Sequence, residues 1–235
     1  MPGRRKTVMT VLLVALCAAF LYQIGLLGMV VWFNFRAPAN TPIMQDTLNA
    51  LRGEDPEAEL QHVWVPYEHI SQNLKRAVIA SEDSGFVDHD GVEWEAIRKA
   101  WDYNQQQADR GRSRRRGGST ITQQLAKNLF LSNSRNYLRK GQELILTYMI
   151  EAVMSKRRIL ELYLNVAQWG TDTFGAQAAA QHYFRTDANQ LSSSQAARLA
   201  AMLPNPAYYD RHGVTAYLRS HSATVRARMP QVEVP

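Results

Sequence analysis

Gly117-Gly-Ser-Thr-Ile-Thr-Gln-Gln-Leu-Ala-Lys-Asn128 is the stretch from which the fold can be read. Two glycines lead into Thr120, and Gln123 follows three positions later. That is the spacing of a capping box, in which each side chain satisfies a backbone N–H at a helix start. Ile121, Leu125 and Leu129 then fall at i, i+4 and i+8, which predicts an amphipathic helix. Free N–H groups and the helix dipole at such a start favour an anion, and glycine lets it approach closely. No Gly-Lys-Ser/Thr follows, so this is not a Walker loop. Lys127 lies about 10 Å along the axis from Thr120 and would touch a different part of an extended ligand. An ordinary capped helix after a loop is the competing reading.

Helical signals continue on both sides. Ser71 caps a segment carrying Leu74, Val78 and Ile79 that runs into Glu82. Trp94, Ile97 and Trp101 recur at i, i+3 and i+7, an apolar face expected to point inward. Leu138, Ile145, Met149, Ala152 and Val153 mark a long helix, and Ser155 opens another with Ile159, Leu162 and Tyr163 inward. Ser192 and Gln195 form a second capping box, and Pro204 ends that helix. His62–Val65 is the best strand candidate, and no internal repeat is present. The chain therefore reads as mainly α. Residues 37–60 hold Pro38, Pro42, Pro56 and the acidic patch Glu54, Asp55, Glu57 and Glu59, with no apolar period, and read as a linker. The tail after Tyr209 carries no clear signal.

From Thr7 to Phe35 there is no charged residue. A bilayer-spanning helix needs about 20 apolar residues, whereas a signal peptide has a core of about 7–15. The run predicts an uncleaved transmembrane anchor, with Trp32, Phe33 and Phe35 at the interface. Arg4, Arg5 and Lys6 before it predict a cytoplasmic N-terminus and an extracytoplasmic remainder. The expected division is residues 1–36 as tip and anchor, 37–60 as linker and 61–235 as the main domain. The net charge of +6 favours anionic partners. The extracytoplasmic placement argues against nucleic acid and leaves lipid phosphates and a lipid-borne substrate. Arg110, Arg112, Arg114, Arg115 and Arg116 crowd one stretch, read either as a solvated loop or as a contact for anionic headgroups. Cys17 is the single cysteine, which excludes an intramolecular disulfide and a thiolate metal cage.

Two further segments can carry chemistry. Ser81–Gly91 ends an apolar helix in Glu82 and Asp83 and then turns through glycines. Partial desolvation raises a carboxyl pKa toward the range of a general base, although two carboxylates at a helix end are as readily explained by solvation. Arg135, Arg139 and Lys140 are candidate phosphate ligands, and Glu143 is a second acid. Arg139 and Glu143 are also an ordinary i, i+4 ion pair. His62, His69 and His89 have no metal-ligand spacing, and no metal site is predicted.

Together these segments resemble the family 51 glycosyltransferase domain of bacterial peptidoglycan polymerases, over roughly Val65 to Pro206. The family pattern E-D-x-x-F-x-x-H-x-G stands here as Glu82, Asp83, Phe86, His89 and Gly91. G-G-S-T-I-T-Q-Q-L-x-K-N is complete from Gly117 and Gly118 to Asn128, and R-K-x-x-E is Arg139, Lys140 and Glu143. Ser155–Asn165 and Ala200–Pro206 are similar to the fourth and fifth motifs. No Ser-x-x-Lys or Lys-Thr-Gly occurs in the chain, so no transpeptidase activity is expected. Asn165–Gly170 and Phe174–Ala176 resemble the monofunctional members. Gln168 and Gln177 stand where those members usually carry Glu, and Asp172 where they carry Gly.

The resemblance implies a lysozyme-like, mainly α-helical domain behind a transmembrane helix in the cytoplasmic (inner) membrane. It implies an inverting hexosyl-type transferase that polymerises lipid II into β-1,4-linked glycan, releasing undecaprenyl pyrophosphate. Glu82 would be the base toward the acceptor 4-hydroxyl, with Glu143 a second catalytic acid. Lys127, Arg135, Arg139, Lys140, Ser119, Thr120, Gln123, Gln124 and Asn128 would bind substrate and pyrophosphate. No cofactor is required by the sequence, although a divalent cation is compatible with it. Expected partners are lipid II, the growing lipid-linked glycan, membrane lipids and proteins of division or wall synthesis. A muramidase or lytic transglycosylase, and a non-catalytic lipid-binding scaffold, are the rival readings.

Overall fold

The computed structural model describes residues 2–111, 117–132 and 137–235. Arg112, Arg114, Arg115, Arg116 and Arg135, all singled out above, lie outside the described residues. Residues 1–36 and 37–235 form two separate units.

The first unit is the helix α1, Pro2–Phe35. Its apolar side chains point outward on several sides, among them Val8, Leu12, Leu16, Phe20 and Ile24. Lys6–Phe35 is long and apolar enough to cross a membrane.

Among the described residues the regular structure of the second unit is helical apart from one short sheet. Its helices are α2 (Pro42–Arg52), α3 (Gln72–Glu82), α4 (Trp94–Asp109), α5 (Ile121–Phe130), α6 (Tyr137–Val153), α7 (Lys156–Val166), α8 (Ala176–Phe184), α9 (Ser193–Met202), α10 (Pro206–His212) and α11 (Ala216–Arg228). The caps read from sequence are in place. Ser71 accepts from Leu74 N–H, Ser155 from Arg158 N–H, and the Thr120–Gln123 and Ser192–Gln195 boxes are both closed. The strand sought near His62 is β1 (Gln61–His62), which pairs in parallel with β2 (Thr173–Phe174).

Packing organises the domain around two groups. α3 lies against α9, and α11 packs on both of them, while α5 packs on α6 and α7. Leu74, Ala77, Val78 and Ile79 of α3 and Ile121, Leu125 and Ala126 of α5 are fully buried. Asn165, buried at the end of α7, ties the start of the domain to it. Its amide donates to the Val65 and Glu161 carbonyls, and its Oδ1 accepts from Val65 N–H.

Four expectations are corrected. The stretch 37–60 holds a helix, because Thr41 is its N-cap and Pro42 its first residue, where a missing N–H costs nothing. The tail after Tyr209 holds α11, capped by Thr215. Trp94 and Trp101 point outward, 61% and 65% exposed. α4 instead brings small residues inward, because a Cβ on Gly118 would stand 3.1 Å from both the Ala100 Cβ and the Ile97 Cα. On α6 the buried line is Glu143, Leu146, Thr147 and Ile150, while Leu138, Ile145 and Tyr148 are exposed. Those two helices therefore present apolar side chains to their surroundings, a surface that marks an interaction site when contiguous.

Candidate active site

Glu82 is the last residue of α3 and is partly buried. Gln124 Nε2 donates to its Oε2 at 2.9 Å, and Ser81 Oγ to its Oε1 at 3.3 Å. The Tyr163 hydroxyl donates to Gln124 Oε1 at 2.9 Å. With its oxygen so occupied, Gln124 can present only its amide N–H to the carboxylate. Burial pushes the Glu82 carboxyl above the usual carboxylate range; the Gln124 and Ser81 hydrogen bonds oppose this, Asp83 adds to it, and the Lys127 ammonium opposes it. Tyr163 is buried, and burial together with the nearby Glu82 and Asp83 charges holds its hydroxyl in the protonated, donating form. Gln124 and Lys127, one turn apart on α5, thus act on the same carboxylate.

Asp83 has a different task. It is buried, with Oδ1 accepting from His89 Nε2 at 2.9 Å and Oδ2 from Ile121 N–H at 3.0 Å. His89 Nδ1 in turn accepts from Gly91 N–H at 3.1 Å, which selects the Nε2-protonated tautomer. The Asp83 hydrogen bond raises the His89 pKa, with burial opposing it. Asp83 therefore clamps the end of α3 to the start of α5 through the turn that carries Phe86, whose ring is fully buried.

The anion expected at the start of α5 is consequently the protein's own. Asp83 takes the Ile121 N–H, and Thr120 Oγ1 takes the Gln123 N–H at 3.2 Å. Thr120 Oγ1 donates to Gly91 O at 2.6 Å, and Gln123 Oε1 accepts from Thr120 N–H at 3.1 Å. Both side chains are buried and serve the cap. Asn128 is also buried, whereas Gly117 and Ser119 are exposed.

Gly91 is required by this arrangement. Its φ is +82°, and a Cβ there would lie 2.6 Å from Glu151 Cγ and 2.7 Å from Thr147 Cγ2. Gly91→Ala is expected to destabilise the fold by at least about 1–3 kcal/mol, read from the midpoint of chemical unfolding.

Glu143 is 3% exposed on α6. Arg139 Nη1 donates to its Oε2 at 2.9 Å, and Lys140 Nζ donates to its Oε1. Lys140 also reaches Ser119 Oγ at 3.3 Å, which sets this cluster beside the start of α5. The i, i+4 pair foreseen from spacing is therefore part of a triad around the buried Glu143, with Lys140 exposed and one positive charge in excess.

Sequence reasoning assigned Tyr163 to the core without seeing its hydroxyl's role, and it missed the strut formed by Glu151 and Lys156. Lys156 Nζ donates to His89 O at 2.5 Å and pairs with Glu151 at 2.8 Å, and Thr122 Oγ1 donates to the same carboxylate. A polar residue at an inward-facing helical position was the one available signal. The histidine reading also needs amendment, since ligand atoms of Asp83, His89 and Glu93 lie within 4.8 Å of one another. Within that group His89 Nε2–H is hydrogen-bonded to Asp83 Oδ1. The departures at Gln168, Gln177 and Asp172 have local explanations. Gln177 donates to Asp187 at 2.7 Å and accepts from Ala188 N–H, an arrangement a carboxylate would turn into repulsion. Gln168 donates to Gly170 O, and Asp172 accepts from the Gln61 side chain.

Glu82 thus stands at the end of a buried helix with the Gln124 amide and the Lys127 ammonium acting on it, in a mainly helical domain. The transglycosylase family model matches residues 48–230. The biosynthetic peptidoglycan transglycosylase of Bordetella pertussis is 63% identical over 230 residues, covering 98% of this chain and 95% of that one. Proteins of the same description from Herminiimonas arsenicoxydans and Chromobacterium violaceum are 50% and 51% identical, covering 98% and 95% of this chain and 98% and 97% of their own. The chain belongs to the transglycosylase family.

Proposed function

We propose that this peptidoglycan glycosyltransferase polymerises lipid II, with Glu82 as the base that removes the proton of the acceptor 4-hydroxyl. The acceptor oxygen attacks the anomeric carbon of the donor, a β-1,4 bond forms with inversion, and undecaprenyl pyrophosphate departs. The observation that carries this reading is the hydrogen-bonded line Tyr163–Gln124–Glu82, with Lys127 acting on the same carboxylate. A raised pKa suits a base that must take a proton during reaction and release it afterwards. Lys127 supplies positive charge beside the base, where a leaving pyrophosphate gains negative charge. Arg135 is proposed for the same role. Arg139, Lys140 and Glu143 form a second site bordering α5, whose excess positive charge suits another phosphate or an anionic part of the donor. Ser119 and Gly117, exposed at that border, would line the path between the two. A hydrolase would need no such cations for a leaving pyrophosphate.

Residues 1–36 are proposed as a single-pass anchor with the basic tip in the cytoplasm and the catalytic domain outside. Tethering raises the effective concentration of a substrate confined to the bilayer. The exposed Trp94, Trp101 and Leu138 suit contact with lipid.

The reading is tested by incubating the purified chain with labelled lipid II and, separately, with finished glycan. Polymer from lipid II supports it, whereas glycan loss without polymer formation would sink it. The pH dependence tests the base. Activity rises as Glu82 loses its proton, so the acid limb of kcat/KM should lie above the ordinary carboxyl range. Gln124→Leu removes a hydrogen bond that favours the carboxylate and should move that limb further toward alkaline pH. An unmoved limb in the variant would separate Glu82 from the profile.

A further inference from the structure

From Arg211 to Val232 there is no acidic residue, yet the segment carries Arg211, Arg219, Arg226 and Arg228. Arg219 and Arg226 of α11 and Arg198 of α9 line one cleft of about 230 Å³, together with Ser194, Val214 and Ser222. Among the described residues no carboxylate is within ion-pair distance of any of the three. Two of them hydrogen-bond to neutral oxygens, Arg219 Nη1 to Val214 O at 3.3 Å and Arg226 Nη1 to Ser194 Oγ at 3.0 Å. The Arg198 guanidinium stands 5.3 Å from the centre of the Phe184 ring, and its buried Nε–H meets no acceptor among the described residues. A buried N–H without an acceptor is costly, and three like charges in one cleft repel. An anion seated among the three guanidinium groups relieves that repulsion.

The geometry points to a second anion site between α9 and α11, taking a phosphate group either free in solution or on a lipid headgroup. A phosphate offers several strong acceptors at once, which matches three guanidinium forks and the hydroxyls of Ser194 and Ser222. None of the cleft residues belongs to the site around Glu82, so this site stands apart from the proposed base.

The test uses the full chain in neutral-detergent micelles. One arm titrates inorganic phosphate by calorimetry. The other follows thermal melting as short-chain phosphatidylglycerol replaces phosphatidylcholine in the micelles. The cleft variant is Arg219→Gln with Arg226→Gln, both exposed positions. The control is Arg211→Gln with Arg228→Gln, which removes equal charge outside the cleft lining. The cleft variant should bind at least about tenfold more weakly while the control stays within about twofold of the parent. Loss in the phosphate arm assigns a free phosphate, and loss confined to the lipid arm assigns a headgroup; either supports the site. No binding by the parent in either arm, equal binding by parent and cleft variant, or equal weakening in the control overturns it.

Discussion

Glu82→Gln is expected to lower lipid II polymerisation by at least about 100-fold, the scale of losing a general base. The substitution is close to isosteric. Its Oε1 can still accept from Gln124 Nε2, and its new N–H₂ can donate to Ser81 Oγ, so the site keeps its shape. The same variant should be more stable than the parent at neutral pH. A carboxyl whose pKa rises on folding binds its proton more tightly in the folded chain. Its contribution to stability is full below the unfolded pKa and is lost as pH rises through the folded one. Above that range the parent holds a charge that burial disfavours, and Gln does not. Thermal melting at neutral pH should therefore place the variant above the parent, with the gap closing in acid. A variant that polymerises at the parent rate rules out Glu82 as the base, whatever its melting point.

Asp83→Ala carries the second large effect, and it does so without touching the reacting atoms. Removing the carboxylate strands the Ile121 N–H and the His89 Nε2–H, both of which it accepts. Hydrogen bonds to a charged group contribute about 1.5–3 kcal/mol each, and the stranded partners are buried or nearly so. A loss on the order of 3 kcal/mol in unfolding free energy is expected. The catalytic loss should be about 100-fold, because α3 carries Glu82 and α5 carries Gln124 and Lys127, and a shift of about 1 Å between them is enough. Asp83→Asn should recover part of the stability, since it keeps one acceptor, but its amide faces a donor on the other side. A fall in kcat with little change in KM marks a positioning role. Unaltered stability together with unaltered kcat would show that the clamp is dispensable.

The helices were legible because their caps are local. Thr120 with Gln123, Ser192 with Gln195, Ser71 and Ser155 each announce a helix within four residues. α2 is hard to see in the sequence because its stretch is rich in proline and lacks an apolar period, although proline at the first helical position starts a helix. The faces of α4 and α6 were misjudged for a different reason. Periodicity assigns apolar residues to the interior, but Gly118 draws small residues of α4 inward and leaves the tryptophans outside. At the site, the resemblance picked out Glu82, Lys127 and Glu143, while the partners of each were visible only in three dimensions. The start of α5 illustrates the limit. Its glycines and hydroxyls read as a cradle for an external anion, and no local pattern could reveal that Asp83, 38 residues upstream, already fills it.

The line Tyr163–Gln124–Glu82 draws its members from three separate helices. In the language of recombination, it sets the smallest inheritable piece. A crossover between Glu82 and Gln124, or between Gln124 and Tyr163, parts the base from a support that its new neighbour must supply in the same register. Chimeras that exchange Ser71 to Ala167 as one cassette should therefore outlive those cut within it.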